Sequence, residues 1–334
     1  MDAGVRRRLA VSFVIALAVG VALGVAHGLN LFAVAQLQGN DFLFRAGPSA
    51  ATRRVASHVT IVAIDDSSLA RLGPWLAWPR AHYARVVRAL DAMGARLIVL
   101  DVGFVDSKPD DAELAAALRE VGSVVQPVVG WPNTPRPMRP GDPLTLSGTL
   151  GPVPTLRDAA PRLGHANVLP DGDGAVRTMP LFVRAGNEVY PALGLLAAAL
   201  FLDRPPLEGA LQPPVVLAAG RAIPVDDAYR MIVDFAGPPS HVGQPSAFAV
   251  VSFVDVLEGR ADPALVRDRV VFVGQLDATG HADDYWVPTS QGTKMWGVEL
   301  HANVFATIVS GSFYTRQGAA TTIATALGLA GVVG

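Results

Sequence analysis

The sequence predicts an α/β fold, a largely parallel or mixed sheet in one large domain with transmembrane helices on either side. Three observations predict it. Short β-branched runs that end in aspartate alternate with amphipathic helical patterns. No internal repeat organises the chain into smaller units. Both ends carry long apolar stretches without a charge.

Composition narrows the class further. Of 334 residues, 51% are hydrophobic, and 27 basic side chains stand against 29 acidic ones for a net charge of −2. A disordered chain would be richer in charge, and a nucleic-acid-coating one would be basic, so no nucleic-acid partner is expected. With no cysteine, disulfide scaffolds, thiolate catalysis and cysteine-ligated zinc are excluded.

The elements follow in order. Arg6, Arg7 and Arg8 precede 18 uncharged positions, Leu9 to Ala26, long enough to cross a bilayer core of about 30 Å. Residues 1–36 are therefore read as a cytoplasmic tip and a transmembrane helix, with the basic flank inside the cell. The run is longer than the usual core of a cleaved signal peptide. His58 to Ile64 is a strand ending at Asp65-Asp66. Trp78-Pro79-Arg80 opens a helix with proline in its first turn, and Tyr83, Val86, Val87, Leu90 and Met93 share one face up to Gly94. Arg96 to Leu100 is a buried strand ending at Asp101, so strand, helix and strand make a parallel unit. A helix from Asp110 to Val121 stops at Gly122, and Val124 to Val129 is the third strand.

Residues 131–161 are proline-rich and aperiodic, so a loop or insertion is expected there. Pro191 to Leu202 reads as a proline-opened helix, and Val215–Ala218 with Ile223–Val225 as a hairpin. Arg230 to Phe235 and Val270 to Val273 read as strands, with short helical turns at Ser252 to Leu257 and Pro263 to Val266. Gly297 to Ser310 is a helix with Val298, Ala302, Phe305 and Val309 in register. From Gln317 to Gly334 no residue is charged, which reads as the start of a second, truncated transmembrane helix. Residues 37–316 would then form one domain outside the membrane.

The informative pattern is where the acids sit. Asp65 and Asp66 end one apolar strand, Asp101 ends the next, and Asp277, His281, Asp283 and Asp284 follow the strand at Val270–Val273. Ligands of parallel sheets bind outside the carboxyl ends of the strands. If these strands are neighbours, their acids meet on one rim suited to a divalent cation or to a cationic or polyhydroxylated small molecule. Asp65, Asp66, Asp101, Asp283, Asp284 and His301 are the ligand-binding candidates, and Asp65, Asp101, His281 and Asp283 the candidate metal ligands. Aspartate is also common at turns and helix N-caps, the structural alternative. Asp171-Gly-Asp173-Gly174 begins like a calcium loop but lacks the closing glutamate, and reads as a turn. His165 and His301, each followed by Ala-Asn, are lone imidazoles of the kind more often hydrogen-bonded than ligating. Trp75 and Trp78 read as packing. A receiver-type pocket would need a lysine after a later strand, where Gly274-Gln275-Leu276 stands, and a haloacid-dehalogenase site would need Asp-x-Asp.

Several runs together resemble the CHASE type-2 family of extracellular sensor domains. They are Ile61 to Gly73, Trp78-Pro-Arg80, Gly94-Ala95, Asp101-Val-Gly-Phe104, Asp110 to Leu114, Gly164 to Val168, Pro170 to Arg177 with Pro180-Leu181, Val233 to Pro238, Val271 to Gly274, and Gly297 to Asn303. The resemblance covers roughly residues 38–314. It implies an N-terminal span, this domain outside the cell, further spans, and a cytoplasmic output that is usually a nucleotide cyclase, a kinase or a diguanylate cyclase. That output is absent from this sequence. The resemblance carries over no ligand residues.

The expected function is therefore non-enzymatic: the ligand-sensing domain of a receptor in the bacterial plasma membrane, acting on an unknown small molecule or ion. A homodimer is expected because such outputs generally work in pairs. The alternative is a periplasmic metal-dependent hydrolase using the acidic strand ends.

Overall fold

The computed structural model describes residues 47–131, 141–279 and 283–315, together with Gly4, Asp41, Phe42 and Phe44. The chain divides into Leu43–Tyr314 and a second unit made of Met1–Phe42 and Thr315–Gly334, and every element below belongs to the first. Helix α1 (Ala50–Ala56) begins at Ser49, whose hydroxyl accepts from Thr52 N. Strand β1 (Val59–Ile64) is buried throughout, as a run of β-branched residues between two layers must be. Asp65 caps α2 (Asp66–Leu72), and a 3-10 turn at Trp75–Ala77 leads into α3 (Arg80–Ala92). Pro79 lies just ahead of α3 rather than in its first turn. Tyr83, Val86, Val87 and Leu90 are buried, whereas Met93 is half-buried at the exit. Gly94 then turns the chain at φ +87°. The predicted β2 (Leu97–Leu100), α4 (Asp111–Val121) and β3 (Val124–Trp131) all form.

The aperiodic stretch is not a plain loop. It holds β4 (Leu144–Leu146), β5 (Gly148–Leu150) and α5 (Pro154–Ala159), while residues 132–140 lie outside the described set. Strands this short carry no readable period and form because partners hold them: β5 is antiparallel to the end of β3. Next come β6 (Leu163–His165), β7 (Thr178–Pro180), β8 (Phe182–Ala185) and β9 (Glu188–Pro191). Pro191 ends β9 instead of opening the helix that follows, α6 (Leu193–Phe201). The hairpin of β10 (Val215–Ala218) and β11 (Arg221–Pro224) forms as expected. Strand β12 (Arg230–Ile232) is shorter than predicted. Then follow β13 (Ala249–Ser252), α7 (Phe253–Leu257), a 3-10 turn at Pro263–Leu265, β14 (Val270–Gln275), β15 (Asp284–Tyr285), β16 (Met295–Trp296) and α8 (Gly297–Ser310).

The main sheet runs β13-β1-β14-β2-β3-β5, with β6 also on β3. It is mixed: β13, β1, β14, β2, β3 and β6 are parallel where they pair, and β5 is antiparallel. The β14 strand, late in sequence, sits between β1 and β2. Alternate residues feed two cores, as a period of two requires. Ile61, Val99 and Phe272 pack with α6 and α8 on one face. Val62, Ile98 and Val271 pack with α3, α4 and α7 on the other. Among the described residues no helix is long and apolar enough to cross a membrane. The two predicted spans fall on residues 1–36 and 317–334, outside the described residues apart from Gly4.

Candidate functional site

Parallel pairing brings the carboxyl ends of β1, β14, β2 and β3 to one edge. The backbone of Asp101 extends the ladder past β2, its N–H donating to the Val273 carbonyl at 2.7 Å. A second acid arrives there from far along the chain. The carbonyl of Asp283 accepts from Gly297 N at 2.9 Å, which fixes it on the first turn of α8. A Cβ on Gly297 would lie 2.8 Å from the Asp283 Cγ, so only glycine lets that carboxylate rest on the helix N-terminus. His301 follows one turn along, on the same side of α8. From the segment that follows β6 come Ala166, Asn167 and Val168. Asn167 is fixed by Gly130, whose N–H donates to its Oδ1 at 2.8 Å.

Together these groups line a cavity of about 320 Å³, completed by Trp75, Gly103, Pro127, Val129, Gln275 and Tyr285. Its ionisable groups are strongly perturbed. Burial pushes the Asp101 carboxyl up to about 7. Burial, and then the charge of Asp101, push Asp283 up to about 6. The Tyr285 hydroxyl donates to Asp283 Oδ1 at 3.1 Å. Burial drives His301 down to about 4. Behind it His165 falls to about 3, from burial and then the neighbouring His301. Both imidazoles are neutral at physiological pH. Such shifts are common where groups are arranged for binding.

The edge thus unites three of the predicted residues, Asp101, Asp283 and His301. The others go elsewhere. Asp65 is 3% exposed, and its carboxylate accepts from Ser68 N at 3.0 Å, Ser67 Oγ at 2.7 Å and Ser252 Oγ at 2.8 Å. It acts as the helix cap. Asp66 is exposed and accepts from the Thr279 backbone N–H at 2.6 Å and its hydroxyl, which lower its pKa. With Thr279, His241 and Asp277 it borders a separate hollow of about 420 Å³. There His241 Nδ1 and Asp277 Oδ1 are paired at 2.9 Å. Asp284 pairs with Lys294 at 2.9 Å. His281 lies outside the described residues. Among the described residues no three His, Asp or Glu side chains are disposed to hold a metal ion.

Asn167, Gln275, Tyr285 and Trp75 were not anticipated as site residues. One signal was present: His-Ala-Asn occurs at 165–167 and again at 301–303, and the fold sets His301 close enough to lower the pKa of His165.

Residues 13–334 match the family model of the CHASE2 domain. The chain belongs to the CHASE2 domain family. This is a family of extracellular sensor domains of membrane receptors, sensory and not catalytic, and the match is wider than the 38–314 carrying the sequence motifs. No curated protein and no solved structure matches the chain.

Several CHASE2-like motifs hold the fold. Arg80 Nε meets Asp111 Oδ1 at 3.0 Å, both nearly buried, while Asp110 accepts from Ala81 N at 2.9 Å, so the starts of α3 and α4 lock together. Asp171 and Asp173 both bind Arg177, at 3.3 and 2.8 Å. That satisfies the turn reading of this loop. On α8 the motif divides its work. Glu299 and Asn303 accept from the backbone of Ser240 and Ala236, at 3.0 and 2.7 Å. His301 between them faces the cavity wall.

Proposed function

We propose that this CHASE2 domain is the extracytoplasmic ligand-sensing part of a transmembrane signalling receptor, and that it receives its ligand in the cavity at the carboxyl edge of the sheet. The observation that carries the reading is the path of α8. His301 lines the cavity, and Gly297 at the start of the helix holds the backbone of Asp283 there. Further along, Thr307 Oγ1 accepts from Asp234 N at 3.0 Å, and Ser310 Oγ lies 3.1 Å from Thr52 Oγ1. Asp234 also accepts from Thr52 Oγ1 at 2.6 Å and from the Tyr314 hydroxyl at 3.3 Å, and Phe44 stacks edge-on against Tyr314. The first and last segments of Leu43–Tyr314 therefore meet at one knot, and a single helix joins that knot to the cavity.

A ligand shifts an equilibrium only by preferring one conformation. A preference expressed at His301 is transmitted because α8 is buried along nearly its whole length and has no soft layer to absorb a displacement. The output that reads the movement is a nucleotide cyclase, a kinase or a diguanylate cyclase outside this chain, and the receptor works as a homodimer in the plasma membrane.

The test is a metabolite screen by thermal shift on the full chain in mild detergent, beside Gly103→Trp, which fills the cavity mouth. Circular dichroism checks that the variant folds. Stabilising ligands are expected for the parent chain and not for the filled variant. Equal stabilisation of both, or none for either, overturns the cavity as the sensing site.

A further inference from the structure

The chemistry of the same cavity identifies the class of ligand, an inference that rests on the sensing reading above. Asp101 and Asp283 both line the cavity, and among the described residues no lysine or arginine does. Among the described residues Asp101 makes no side-chain hydrogen bond or ion pair, and Asp283 receives only the Tyr285 hydroxyl. The other ionisable groups nearby do not balance them. Asp284 adds a like charge, Tyr285 stays protonated, and His301 and His165 are neutral by burial. Lys294 serves Asp284 instead.

A second observation is independent of the acids. His301 is 1% exposed on the cavity wall, and its Nδ1 has no hydrogen-bond partner. The Ala166 carbonyl lies against this ring, and the buried Nδ1 keeps a hydrogen-bonding capacity that no protein group uses among the described residues. Among the described residues the cavity therefore offers acceptors and negative charge without a donor cation, beside the aromatic rings of Trp75 and Tyr285. Uncompensated carboxylates out of bulk water cost free energy that an incoming positive charge recovers. Aromatic faces favour the same charge.

We propose that the cavity binds a small organic cation bearing an ammonium group, held between Asp101 and Asp283 against Trp75 and Tyr285. Binding draws the remaining protonated fraction of Asp101 into its ionised form and releases protons.

The experiment uses the full chain in mild detergent with n-butylamine, putrescine and choline, beside n-butanol and butyrate as uncharged and anionic counterparts. Calcium, magnesium and zinc chlorides are titrated alone. Ligand-detected NMR reads weak binding, and calorimetry in two buffers of different ionisation enthalpy reads proton release. At least one amine is expected to bind at pH 7.5 with proton release, and n-butanol and butyrate are not. Asp101→Asn and Asp283→Asn each weaken it about tenfold or more, and affinity falls equally at pH 5. Amine binding unaffected by both substitutions, or no amine binding, overturns the proposal. So does a metal ion, n-butanol or butyrate binding better in an Asp101-dependent way. In that last case the Gly103→Trp variant separates the two readings. A ligand it excludes keeps the sensing site and removes only the ammonium assignment, whereas one it still binds removes both.

Discussion

At the scale of single residues, the clearest consequence of the site is its cost to the empty fold. The Asp101 carboxyl is pushed up to about 7 by burial, against 3.8 as an ordinary carboxyl. The folded state therefore holds a proton that the unfolded state has already lost between these values, and stability falls as pH rises through that window. Asp101→Asn removes the liability. Its Tm is expected to exceed the parent's by roughly 2–5 °C above pH 7 without ligand, and to match it near pH 4. Thermal denaturation across pH 4–8 checks this, and a gain that is flat with pH would assign the stabilisation to something other than the carboxyl. Asp65, from the same sequence pattern, is instead enclosed by three hydroxyls and a backbone N–H. Both follow a β-branched run, and only the partners folded around them make one a cap and the other a cavity wall.

At the scale of elements, α6 and α8 cross at a glycine. A Cβ on Gly194 would meet the His301 carbonyl oxygen at 2.5 Å and Val304 Cβ at 2.8 Å, both on α8. Backbone cannot yield there as a flexible side chain would. Gly194→Ala is expected to cost about 1–3 kcal/mol in urea denaturation and, by moving the turn that carries His301, to weaken ligand binding. Unchanged stability would mean the helices separate freely and α8 is not the stiff connection described above. The long elements were legible because their burial repeats locally: α3, α4 and α8 show an apolar face, and β1, β2 and β14 are unbroken apolar runs between two layers. The strands of 131–161 and the edge strand β13 were not legible. A three-residue strand such as β5 has no period and owes its existence to β3.

At the scale of the whole molecule, the placement of the domain outside the membrane has a direct test. Reporter fusions after Thr60 and after Leu300 are both expected to give an extracytoplasmic signal, and a cytoplasmic signal from either overturns the receptor topology. The fold supplies a reason to care about both ends, since α1 and α8 meet at Asp234, Thr52 and Ser310. By itself the sequence determined the α/β class, the principal helices and strands, the family, and that acids stand at strand ends, because each depends on patterns within a few neighbouring residues. Only the tertiary structure decided which acids meet. Inserting β14 between β1 and β2 sends Asp65 and Asp66 to one side and leaves Asp101 on the other. The start of α8 then brings Asp283 to Asp101, along with a histidine that burial keeps neutral. Of the acids that stand at strand ends, long-range pairing that no local pattern encodes brings these two carboxylates together.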